Sequence, residues 1–153
     1  MSLLERDLDD LVGRAQGPAI LGATVTAPAG AARPEPWRAQ YERCKPWLAE
    51  ALEGSLYTAD DLERALAEGR AKLWPGKGSA IVTEIERYPT ETVMRCWLGG
   101  GDMDELLGMA PGVMAEGRMQ GCVSAIVEGR KGWEKALKGL GFGFYSATFR
   151  AVL

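Results

Sequence analysis

Apolar positions follow two periods along this chain, and the switches between them mark its elements. Residues 3–15, LLERDLDDLVGRA, set Leu4, Leu8 and Leu11 on one helical face. Residues 16–36 lose the period: they are rich in Ala, Pro and Gly and almost uncharged, the composition of an arm or linker. Within them AILGATVT carries Ile20, Thr24, Val25 and Thr26, which suit a single strand. Helical spacing resumes at Trp37 and continues through Tyr41, Cys44, Leu48 and Leu52. Pro46 predicts a kink or a split in this helix, and Gly54 a stop. Thr58, with Asp61 three residues on, reads as the N-cap of the next helix, whose first-turn acids suit the helix dipole. Gly69 closes it.

Beyond Gly69 the period changes to two. Residues 71–74, 79–88 and 91–98 are strand-like, and the turns at Pro75-Gly76 and Pro89-Thr90 make them an antiparallel meander. Gly99, Gly100 and Gly101 predict a break. Residues 102–121 return to helical spacing, with Met103, Leu106, Leu107, Met109, Met114 and Met119 as a core face and Pro111-Gly112 as an interruption. Residues 122–127 read as a buried strand, 129–141 as a helix, and 142–153 as a strand or a bulged strand pair. The expectation is an α+β domain over 37–153, a mixed sheet flanked by helices, preceded by a helix and arm over 1–36.

Charge and composition then remove several function classes. The 153 residues are 46% hydrophobic and 25% charged, with a net charge of −3, values of an ordinary globular domain. An acidic balance without interleaved basic and aromatic residues argues against general nucleic-acid binding, although Lys72, Lys77, Arg130 and Lys131 form a local basic set. No apolar run reaches the ~18–20 residues that a membrane span needs. The acids of MSLLERDLDDL stand where a signal peptide carries bases, so a cytoplasmic protein is expected. There is no histidine, and Cys44, Cys96 and Cys122 are scattered, so no metal site is expected and the thiols read as buried apolar groups. Without histidine, any general acid or base must be Glu, Asp, Lys, Tyr, Cys or water.

The stretch GWEKALKGLGFGFY (132–145) carries a helix into Leu-Gly-Phe and then into strand-like residues. With KGLGF at 138–142, and the element order over 19–153, the chain resembles the GNAT family of N-acetyltransferases; the likeness in sequence itself lies in 91–142. The resemblance implies a fourth strand splayed from the fifth, a V-shaped cleft for the pantetheine of acetyl-CoA, and a Gln/Arg-x-x-Gly-x-Gly/Ala loop. The loop's N–H groups and the next helix's N-terminus would hold the pyrophosphate. The matching stretch is RCWLGGGDMDE (95–105), which nominates Arg95, Gly99, Gly100 and Gly101 as cofactor-binding residues if the chain is active. Leu98 takes the first glycine position, and Asp102, Asp104 and Glu105 bring negative charge to the helix start. The other reading is a glycine turn capped by Asp102.

Active members often carry a tyrosine as acid where this chain has Leu137; Tyr145, on the next segment, is the alternative. Trp133 adds a bulky ring near the cofactor's course. Glu84 and Glu86 stand on the middle meander strand, where the resemblance implies a general base; an alternating strand would equally turn both to solvent.

The phrases RAKLWPGKGSAIVTEIERYP, VMRCWLGGGDMDELL and VEGRKGWEKAL resemble small acetyltransferase-like proteins associated with the virions of short-tailed phages. That likeness implies a non-catalytic structural or assembly protein of the internal core, portal or head–tail region. It would need no cofactor, meet other virion proteins in multiple copies through the 1–36 arm, and occupy the host bacterial cytoplasm before the virion. The arm's GPAILGATVTAP could add a strand to a neighbour's sheet. Five tryptophans (37, 47, 74, 97 and 133) supply core or interface anchors, with Trp74 expected to be the most exposed. The alternative is an active acetyl-CoA-dependent N-acyltransferase on a small amine or a protein amine.

Overall fold

A computed structural model describes residues 35–153. The helix at 3–15 and the strand-compatible stretch of the arm lie outside the described residues. Helix α1 spans Pro36–Leu52 and buries Tyr41, Cys44 and Leu48, which share a face at spacings of three and four. Its first residue is a proline, whose missing N–H would have no partner in the first turn. The helix runs unbroken through Pro46, contrary to the expected kink or split. Pro46 sits on the exposed side, and the carbonyl it leaves without a helical donor, that of Glu42, belongs to an exposed residue that water can serve.

Helix α2 (Ala59–Ala67) opens on a reciprocal capping box. Thr58 Oγ1 accepts from the Asp61 N–H at 3.3 Å, and Asp61 Oδ2 accepts from the Thr58 N–H at 2.8 Å. The cap fixes where the helix begins, so that Leu62, Ala65 and Leu66 face inward.

The sheet has the order β1 (Ala71–Pro75), β2 (Ser79–Arg87), β3 (Thr92–Gly101), β4 (Ser124–Val127). The first three strands form the expected antiparallel meander, and β4 joins β3 in parallel. One face carries α1 and α2 over Ala80, Val82, Trp97 and Leu98. The other carries α3 (Met103–Met119) over Ile81 and Met94. Among the described residues no helix is long and apolar enough to cross a membrane.

Several expectations need correction. The three glycines do not break the chain: Gly99, Gly100 and Gly101 extend β3 opposite Ile81, Ala80 and Ser79. They are small because neighbours come close. A Cβ on Gly100 would lie 2.4 Å from the carbonyl oxygen of Trp47 on α1, and Gly101 turns into α3 at a φ of +98°. Helix α3 continues through Pro111 and Gly112, both exposed. Its buried stripe is Leu106, Val113 and Gly117; Met119 lies two residues past Gly117, roughly 200° round the helix, and is 85% exposed. Trp74 is half-buried against the α3 side, its indole donating to Thr83 Oγ1 at 3.0 Å, rather than exposed.

The C-terminal quarter departs furthest. The strand expected at 122–127 forms at Ser124–Val127 and is only half-buried. The helix expected at 129–141 is a 3-10 turn, Lys131–Trp133, followed by the short α4 (Glu134–Lys138). Glycines at 129, 132, 139 and 141 limit it from both sides. Residues 142–153 form no strand, because a strand needs a partner edge and this segment pairs with none of the described residues.

The close approach at Gly100 predicts an asymmetry between glycines. Gly100→Ala should destabilise by about 1–3 kcal/mol through overpacking against backbone. Gly112→Ala, in open space within α3, should stabilise by about 0.5–1 kcal/mol. Urea unfolding of both variants checks this; equal effects would remove the packing explanation.

Candidate functional site

Strands β3 and β4 are paired only from Val93–Cys96 against Ser124–Val127. Past that point β3 carries a bulge. Val82 pairs with Leu98 but Thr83 pairs with Cys96, so Trp97 is the extra residue. Beyond Val127 the chain leaves the sheet for the turn at Lys131–Trp133, and a wedge opens between the two strands.

Apolar side chains fill the wedge. The Trp133 indole lies on Gly99 so closely that a Cβ there would sit 3.0 Å from its ring edge, and the same ring backs onto Gly129. What remains is a cavity of about 70 Å³, lined among others by Thr83, Met94, Cys96, Leu107, Val127 and Leu137, with no polar surface. Burial pushes the Cys96 thiol up to about 11, so it stays protonated near neutrality. Burial likewise raises Cys44 and Cys122. Leu137, at the position where the family resemblance looks for an acid, belongs to this apolar lining. Tyr145 lies outside it and is exposed.

The start of α3 is closed by its own side chains. Asp102 Oδ1 accepts from the Glu105 N–H at 2.7 Å, the N-cap expected from the sequence. Glu105 in turn accepts from the Ser79 hydroxyl and, at 3.0 Å, from the Gly78 N–H, bonds that hold its carboxyl below the usual range. Asp102 thus takes one N–H at the start of α3, and Asp104 and Glu105 put two further acids in its first turn.

Arg95 belongs to a different place. Met94 and Cys96 face α3, so the intervening Arg95 points to the opposite face of the sheet. There its guanidinium, 14% exposed, meets Glu84 at 3.5 Å, Glu86 at 3.4 Å and Glu128 at 3.1 Å. The Arg95 Nε is buried without a hydrogen-bond partner among the described residues. Glu84 is pushed above the usual carboxylate range, first by burial, with Arg95 opposing and Glu86 adding to the rise. The structure thus brings Arg95, Glu84 and Glu86 together, sets them on the other face from α3, and leaves Tyr145 apart. Glu84 and Glu86 are not the freely solvated pair that plain alternation suggests. Glu128 and the anchoring role of Glu105 had no local signal, because both act on residues more than 25 positions away.

No protein-family model matches the chain, and no curated protein does. Solved structures do. A Trypanosoma brucei acetyltransferase aligns over 75% of this chain and 94% of its own, at 14% identity and a TM-score of 0.57. Glucosamine-6-phosphate N-acetyltransferase from Arabidopsis thaliana aligns over 74% and 92%, at 11% identity and 0.54. An aminoglycoside acetyltransferase from an uncultured soil sample, solved with sisomicin, aligns over 77% and 89%, at 11% identity and 0.53. At these identities the likeness is one of fold: the chain has a GNAT-like α+β architecture.

The Arg95 cluster predicts a pH-linked cost. Arg95→Met leaves Glu84 and Glu86 without their cation and should destabilise by about 3 kcal/mol near neutrality, the lower figure for breaking a buried pair. Glu84 has a raised folded pKa, so protonation relieves its burial. Its contribution is most favourable in acid and is lost as pH rises through the folded value. The penalty of the variant should therefore shrink as pH falls through that range. Urea unfolding at a series of pH values checks it; a penalty independent of pH would refute the assignment.

Proposed function

We propose that this chain is a non-catalytic structural or assembly protein on an acetyltransferase-like frame, associated with a phage particle. The observation that carries the non-catalytic half is the filled wedge. About 70 Å³ of apolar space beneath Trp133 stands against the roughly 300–1,000 Å³ of ordinary small-molecule sites. The self-capped, acidic start of α3 supports the same half. The phage half rests on the sequence likeness of residues 70–89, 93–107 and 127–137, with other virion proteins as partners through the 1–36 arm. The places are the host bacterial cytoplasm during assembly and then the internal core, portal or head–tail region.

A second reading is an active acetyl-CoA-dependent N-acyltransferase. Two observations favour it: the proteins that share this fold include named acetyltransferases, and burial moves Glu84 in the direction a general base requires. In that reading Glu84 or Glu86 is the base, Tyr145 the acid, and Arg95 with Gly99–Gly101 hold the cofactor. Arg95 would first have to leave its three carboxylates, and Trp133 would have to leave Gly99.

Two measurements separate the readings. Calorimetry of the full chain with acetyl-CoA should give no saturable heat, and mass spectrometry of purified particles should find the chain in a fixed ratio to the head proteins. Saturable binding with acyl transfer to an amine would establish the second reading. A chain absent from particles would refute the virion assignment.

A further inference from the structure

Between β4 and α4 the chain crosses from one side of the sheet to the other, and the crossing is fastened on both sides. On the α1 side Glu128 meets the Arg95 guanidinium at 3.1 Å, and Arg130 Nη2 donates to the Glu50 carbonyl at 3.2 Å. That carbonyl lies in the last turn of α1, where the helix dipole favours a cation. On the α3 side Trp133 packs against the cluster of Ile81, Met94, Leu106 and Val113, with its ring on Gly99.

The fastenings differ in kind. Apolar contact holds the ring, whereas both polar fastenings come from exposed side chains, Glu128 at 66%. Exposed charged contacts of this sort are weak, and salt screens them. Gly129 stands between the two, and Gly132, with open space where a Cβ would be, stands between Arg130 and the ring. Helix α4 beyond them buries no residue. A segment with free joints and exposed hydrogen bonds opens locally at less cost than the sheet it lies on.

We propose that residues 128–133 are a salt-sensitive latch on the wedge. Glu128 on Arg95 and Arg130 on the Glu50 carbonyl hold Trp133 over Gly99; their release lets the segment swing out and opens the apolar space to molecules from solution. Losing Glu128 leaves Arg95 with Glu84 and Glu86, so the latch can be undone without stranding the cation. The latch is compatible with either functional reading, as a seal in the first and as the movement that frees a cleft in the second.

Cys96 lines the wedge and Cys44 is buried in the other core cluster, so the two thiols report opening and general loosening separately. Native-state labelling of the full chain with methyl methanethiosulfonate, read by peptide mass spectrometry, tests the latch. The double variant Glu128→Gln, Arg130→Met should label about three- to tenfold faster at Cys96 than the parent chain, and at the same rate at Cys44. Raising sodium chloride to about 1 M should speed Cys96 labelling in the parent and leave the variant unchanged. As an independent arm, the Gly99 α-proton shifts, displaced by the ring current of Trp133, should move towards random-coil values in the variant. Unchanged Cys96 labelling or unchanged Gly99 shifts in the variant would overturn the proposal. So would a joint rise at Cys96 and Cys44, or a parent chain whose Cys96 rate ignores salt.

Discussion

Gly99 has no side chain, and the indole of Trp133 lies where one would start. That contact sits where β3 and β4 part. The parallel pairing stops at Cys96 and Val127, the bulge at Trp97 re-aims the rest of β3, and the chain after β4 leaves the sheet. With the ring in place, α3 and α4 press onto an apolar filling of Met, Leu and Val side chains instead of lining a channel.

Electrostatics follow the same logic of internal closure. An anion site needs bare N–H groups and an unpaired cation. Here Asp102 and Glu105 answer the donors at the start of α3 and in the β1–β2 turn. Glu84, Glu86 and Glu128 answer Arg95 on the other face of the sheet. Each carboxylate lowers the attraction for a phosphate. Buried charges of this kind are costly to separate but do not by themselves add stability over apolar packing. What they fix here is the position of β3 against β2 and β4.

Much of the frame was legible in the sequence because its signals are local. Tyr41, Cys44 and Leu48 mark one face of α1, Thr58 and Asp61 form the box that starts α2, and period-two alternation announced the meander. Asp102 was legible as a cap for the same reason, and Trp133 as a bulky ring near the expected cleft. What failed depends on distant neighbours. Three successive glycines look like a break unless one knows that the Trp47 carbonyl approaches Gly100. Residues 142–153 have strand composition, but composition supplies no partner edge. The family resemblance put Arg95 with the glycine loop, whereas alternation along β3 sends it to the face of Glu84 and Glu86.

The closure by Trp133 can be observed directly. In NMR spectra of the full chain, the ring protons at the far edge of the Trp133 indole should show cross-peaks to the Gly99 α-protons, unchanged on adding a large excess of acetyl-CoA. Loss of those cross-peaks as ligand signals take their place, with the ring moving out from between β3 and β4, would mean that the wedge is a working cleft and would contradict the account.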